Sequence, residues 1–143
     1  LIGKEKLLLA VPKKESPLAK KDFLFNKISI SEFILLKNEK FVLLPVGTTI
    51  RNIIDRYFYK VGFIPDILFE TKSSQTLLKM VQNSTAYTII SEIHANKSEN
   101  IEYFSFIEKM ELEYCAVHKK DRYITEPIKK IVELFKDYWE KSI

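Results

Sequence analysis

Hydroxyl residues placed where helices begin are the chemistry this sequence offers. Thr48 and Thr49 follow the run Phe41-Val42-Leu43-Leu44-Pro45-Val46-Gly47 and precede a stretch with helical apolar spacing. Ser73 and Ser74 follow Ile67-Leu68-Phe69-Glu70 in the same way. The first N–H groups of a helix have no partner inside it, and the helix dipole adds partial positive charge at that end. A side-chain oxygen can cap those groups, and a small anion can bind them. Two stretches, Val46–Thr49 and Lys72–Gln75, therefore suit recognition of a small polar molecule, with anions favoured. Gly47 belongs to the turn that sets up the first. Arg51 is expected to add long-range attraction, although helical phase puts it on or near the wet side. Ser91 ends a later strand and joins the candidates. Capping alone would also account for all four hydroxyls at the helix starts, and the two roles are compatible.

Other chemistry finds little support. His94 and His118 are far apart, with no carboxylate or cysteine at ligand spacing, so no metal site is expected. Cys115 and His118 are three apart on a predicted strand, which puts them on opposite faces. Cys115 reads as a buried, inert thiol. With three glycines and no lysine after Pro45-Val46-Gly47-Thr48-Thr49, there is no phosphate-cradling loop. No nucleophile elbow occurs, and Asp and Glu fall mostly on predicted wet faces. The expectation is a binding domain without cofactor or metal, not an enzyme.

Several elements must hold these residues. Lys6–Pro12 reads as a buried strand and Lys13–Lys21 as a basic loop. Ser31 is placed to cap a short helix through Leu36, with Glu32 near its positive end. Phe41–Leu44 is the next strand. The helix Thr48–Val61 carries Ile50, Ile53, Ile54, Tyr57, Phe58 and Val61 at spacings of three and four, which makes one apolar face. Gly62 should end it in a left-handed conformation, and Pro65 prevents continuation. Ile67–Glu70 is a strand, and Ser73 or Ser74 caps a helix with core residues Leu77, Leu78 and Val81. Ala86–Ile90 and Tyr103–Ile107 read as strands, and Ser91–Asn100 is irregular. Leu112–His118 is another strand. Thr125 caps a last helix with an apolar stripe from Ile128 to Trp139. Short apolar runs alternating with helical ones predict βαβ units and a parallel sheet.

The chain of 143 residues suits one domain, with 46% apolar residues for a core and 29% charged residues. No apolar run approaches a membrane span, and Leu7–Val11 is too short for a secretion signal. The net charge of +4 is spread over scattered lysines, and Arg51, Arg56 and Arg122 form no stripe. Nucleic-acid contact by this segment is not expected.

The order of these pieces resembles the second lobe of the effector-binding domain in LysR-type transcriptional regulators. The matching residues are Lys6–Pro12, Ser16-Pro17-Leu18-Ala19, Ile30-Ser31-Glu32-Phe33, Phe41–Arg51, Tyr57-Phe58, Gly62-Phe63-Ile64-Pro65, Phe69-Glu70, Leu78, Val81 and Glu126-Pro127. The family's Val-x-x-Gly-x-Gly run is altered here, with Ser84 and Ala86 at the glycine positions and Ser91 where a proline is usual. The resemblance implies an α/β, type II periplasmic-binding-protein-like fold with an effector between two lobes. It implies a crossover strand at 1–12, lobe II at 13–111, and a return strand with the terminal helix of lobe I at 112–143. On this reading the chain is a fragment lacking an N-terminal helix-turn-helix and half of lobe I. DNA would be bound through that absent domain, in the cytoplasm, by a homo-oligomer, and the terminal apolar stripe would drive association. A transporter's solute receptor on the same fold, and less so a small α/β enzyme, are the alternatives.

Overall fold

A computed structural model describes residues 3–13, 27–83, 85–96, 98–114, 133, 134 and 136. Its central strand is β1, Gly3–Pro12, which starts three residues before the expected Lys6. Leu7, Leu9, Ala10 and Val11 are fully buried, so this half of β1 is core on both faces. It pairs antiparallel with β5 (Thr88–Ser91) on one side and β6 (Ile101–Phe106) on the other. The amino-terminal half, Gly3 to Lys6, pairs instead with β7 (Glu111–Tyr114). The two-residue β2 (Lys27–Ile28) runs parallel to β6 and completes this sheet.

A second, two-stranded sheet joins β3 (Lys40–Leu43) and β4 (Asp66–Glu70) in parallel. An isolated parallel bridge from Phe41 to Tyr87 ties it towards β5. The expected parallel βαβ arrangement therefore holds for β3, β4 and Tyr87, but β1 is antiparallel to all three of its partners. Alternation of apolar runs along a sequence does not carry strand direction. Among the described residues β4 is an edge strand, and its Leu68 and Phe69 are exposed.

The first short helix, α1, covers Ile30–Phe33 and continues as a 3₁₀ turn over Ile34–Leu36. Its cap is Ser29, not the expected Ser31. Ser29 Oγ accepts from Glu32 N, and Glu32 reaches back to Ser29 N at 2.9 Å. That reciprocal pair needs a spacing of three residues, which Ser29 has and Ser31 lacks. α2 spans Thr49–Val61 with Thr48 as cap, and Gly62 ends it at φ +100° as expected. α3 spans Ser74–Gln82, capped by Ser73.

Two apolar clusters fill the interior. The larger gathers rings around Phe33, which meets Phe41, Tyr57, Phe58, Phe63 and Phe106 with centroids between 5.0 and 6.2 Å. The smaller packs Leu77, Leu78 and Val81 of α3 against Ala10, Val42, Ala86, Ile90 and Ile101. β7 starts at Glu111, one residue earlier than expected. Cys115, His118, most of the basic loop, Ser84, the Thr125 cap and nearly all of the terminal stripe lie outside the described residues. Of that stripe Leu134 is helical and exposed.

Candidate functional site

The chain leaves β3 through Leu44-Pro45-Val46-Gly47 and turns into α2. Gly47 sits at φ +96°, a conformation L side chains resist. Thr48 Oγ1 donates to Pro45 O at 3.0 Å and accepts from Arg51 N at 3.2 Å. Its side chain thus locks the turn and caps the helix together. At α3, Ser73 Oγ accepts from Thr76 N at 3.2 Å, while Ser73 N donates to Thr71 Oγ1 at 3.1 Å. Ser91, at the end of β5, is buried and donates from Oγ to Glu5 Oε1 at 2.5 Å.

One cleft of about 650 Å³ collects these ends. Its polar lining is Thr48, Thr49, Lys72, Ser74, Ser91, His94 and Glu113, over an apolar base of Leu44, Ile50, Ile90 and Leu112. Four sequence candidates, Thr48, Thr49, Ser74 and Ser91, therefore meet in a single cavity. Lys72 has no carboxylate partner among the described residues and supplies positive charge there. Glu113 is tied to Lys109 Nζ at 3.0 Å, and this hydrogen bond holds its carboxyl below the usual range.

Gly47, Ser73 and Arg51 do not line the cleft. Gly47 shapes the turn and Ser73 caps α3. Arg51, expected on or near the wet side, is buried. Its Nε donates to Asp55 Oδ1 at 2.8 Å, and its Nη1 donates to Leu44 O and Glu70 Oε1, both at 2.9 Å. Burial alone would lower the guanidinium pKa, but the Asp55 and Glu70 hydrogen bonds outweigh it and leave it raised. The Arg51 bond in turn pulls the Glu70 carboxyl down, with help from Val46 N. Helical period could not reveal this, because two of the three partners come from β4 and the Leu44 carbonyl. Among the lining residues, Lys72 lay within a stretch the sequence marked. Glu113 and His94 carried no signal: the first arrives through β7 pairing, the second through a 3₁₀ turn over Glu92–His94.

The LysR substrate binding domain family matches residues 1–140. The chain belongs to that family. Solved structures of LysR-type proteins share the fold at low identity. HinK, a LysR family transcriptional regulator from Pseudomonas aeruginosa, superimposes at TM-score 0.68 with 16% identity over 99% of this chain and 47% of its own. The CcmR regulatory domain of Synechocystis PCC6803 in complex with 2-PG gives 0.69 and 12%, over 97% and 65%. The effector binding domain of QuiR in complex with shikimate gives 0.63 and 19%, over 98% and 64%. The LysR-family chain thus spans about half to two thirds of these structures, and its α/β, type II periplasmic-binding-protein-like fold is theirs. Among curated proteins, none matches its sequence.

Proposed function

We propose that this LysR-family domain senses a small polar, anionic effector in the cleft at Thr48, Thr49, Ser74 and Ser91, with Lys72 as the cation facing it. In this reading the domain serves a transcriptional regulator. DNA is bound through an N-terminal helix-turn-helix outside this chain, in the cytoplasm, by an oligomer. The segments 1–12, 13–111 and 112–143 act as crossover strand, lobe II, and return strand with the terminal helix of lobe I. Gly47, Ser73 and Arg51 hold the site's shape.

The observation that carries the reading is convergence. Two capped helix starts and a lysine with no carboxylate partner among the described residues open onto one cavity, and N-termini that share a cavity favour negative charge within it. Relatives of the same fold hold shikimate, in QuiR, and 2-PG, in CcmR. The test is the double variant Thr48→Ala/Thr49→Ala, with Lys72→Met beside it, in the full-length regulator. Both variants stay folded and lose the transcriptional response to effector. A normal response from folded protein would overturn the assignment.

A further inference from the structure

Each hydroxyl on the effector cleft has one proton to give, and two of them have already given it. Thr48 Oγ1 donates to Pro45 O at 3.0 Å, and a carbonyl oxygen can only accept. The same Oγ1 accepts from Arg51 N, which leaves it one lone pair and no proton. Thr48 is half-buried and lines the cleft, so towards a ligand it can only accept. Ser91 is buried and its proton goes to Glu5 Oε1, so it adds no donor either.

The other polar groups on the cleft sort by what they can still offer. Among the described residues, the hydroxyls of Thr49 and Ser74 make no hydrogen bond and Lys72 has no carboxylate partner, so these three are free to donate. Glu113 belongs with Thr48. Lys109 Nζ, 3.0 Å from its Oε1, holds the Glu113 carboxyl below the usual range, so it stays ionised and can only accept. Its side chain is 42% exposed and open to a ligand in the cleft. The imidazole of His94 can donate or accept and does not decide between them. The cleft thus presents a cation with free donors, and beside them acceptors that have no proton left.

Resting on the reading of this cleft as the effector site, we propose that the effector is a hydroxy acid, whose carboxylate takes the donors of Lys72, Ser74 and Thr49 and whose hydroxyl donates to Thr48 Oγ1 or to the Glu113 carboxylate. A plain acid leaves those acceptors to water. A dicarboxylate presses a second anion against Glu113. An ammonium in place of the hydroxyl is repelled by Lys72 and finds Glu113 already paired with Lys109. A hydroxyl brings the missing proton without a charge. Sites built to hydrogen-bond a ligand hydroxyl reject the analogue that lacks it.

The experiment is calorimetric titration of the full-length protein with glycolate, 3-hydroxypropionate and 4-hydroxybutyrate. Each is run beside its deoxy partner (acetate, propionate, butyrate) and its amino counterpart (glycine, β-alanine, γ-aminobutyrate). At least one hydroxy acid binds saturably, ten-fold or more tighter than both of its analogues, and Lys72→Met weakens it ten-fold or more. The preference over the deoxy acid drops to three-fold or less in Thr48→Val, in Glu113→Val or in both, and Thr48→Ser restores the hydroxyl and the preference. If Thr48→Val unfolds, a crystal grown with the tightest hydroxy acid decides: its hydroxyl lies within hydrogen-bond distance of Thr48 Oγ1 or Glu113, or the proposal falls. Hydroxy and deoxy acids that bind equally, both weakened by Lys72→Met, would remove the hydroxyl and leave the anion site standing. Binding of no acid, or binding indifferent to Lys72→Met, would remove the effector reading of the cleft and this inference with it. A preference unchanged in both folded valine variants, or an amino acid tighter than its hydroxy counterpart, would also overturn the proposal.

Discussion

At the start of α2, Thr48 Oγ1 accepts from Arg51 N at 3.2 Å; at the start of α3, Ser73 Oγ accepts from Thr76 N at the same distance. Behind equal caps the two helices are anchored differently. α2 has Arg51, which binds Asp55, Leu44 O and Glu70, and it rests on the aromatic cluster around Phe33. Among the described residues, α3 has the local Thr71–Ser73–Thr76 hydrogen bonds and a mainly aliphatic cluster. Both starts reach the same cleft. One wall of that cleft is therefore cross-braced to a neighbouring strand, and the other is held by its own first turn. Thr48 therefore stands on a braced turn, and Ser74 on one held by local hydrogen bonds.

The largest test of this asymmetry is in the cores. Phe33→Ala should cost about 4 kcal/mol, and Leu77→Ala about 3 kcal/mol, by loss of buried volume. Urea unfolding followed by circular dichroism checks both. If Leu77→Ala proved the more damaging, the aromatic cluster would not be the stronger anchor.

Arg51→Met comes next, at roughly 2 kcal/mol, because it removes three charge-assisted hydrogen bonds and leaves Glu70 and Leu44 O without that donor. It also alters the response to acid. In the native protein Arg51 depresses the Glu70 pKa below its ordinary 4.5. A depressed carboxyl contributes stability that is present above that ordinary value and is lost as pH falls through the lower folded one. Urea midpoints measured downward from neutral pH should show this loss in the native protein and a shallower one in Arg51→Met. Parallel curves would remove the brace from the comparison.

Gly62→Val should cost about 1 kcal/mol or more, since the left-handed φ at the end of α2 is strained for any β-carbon. Effector specificity should be unchanged. Thermal melts with effector titration check both.

The smallest effects separate the two caps. Thr48→Ala and Ser73→Ala should each cost about 1 kcal/mol. Hydrogen exchange should distinguish them: the first turn of α3 opens in Ser73→Ala, while Arg51 still holds α2 in Thr48→Ala. Equal fraying would mean that the brace does not reach the helix start.

The sequence made the local signals legible. Helical spacing from Ile50 to Val61, the Gly62 stop and the hydroxyls at both helix starts depend on neighbours within a few residues, and they are where they were expected. Thr48, Thr49 and Ser74 line the cleft for the same reason, and Ser91 joins them at the end of β5, which pairs with β1. What failed depended on distant partners. Arg51 looked solvated because its acceptors at Leu44 and Glu70 are brought in by β3 and β4. Glu113 reached the cleft through pairing with β1, which no local pattern announces. The cap lies at Ser29 and not at Ser31 because the reciprocal Ser29–Glu32 pair decides it, not a single hydroxyl before a helix. Strand direction around β1 was equally hidden, since parallel and antiparallel core strands share the same apolar runs.

Tension is a useful way to think about β1. Leu8 to Ala10 is clamped between β5 and β6, while Gly3 to Lys6 holds β7. Inter-strand hydrogen bonds of antiparallel ladders lie across the strand axis. A pull along β1 from its amino end therefore loads these rungs in shear. β1 thus acts as a tie-rod set into the sheet, with a load along its axis shared among the rungs to β5, β6 and β7.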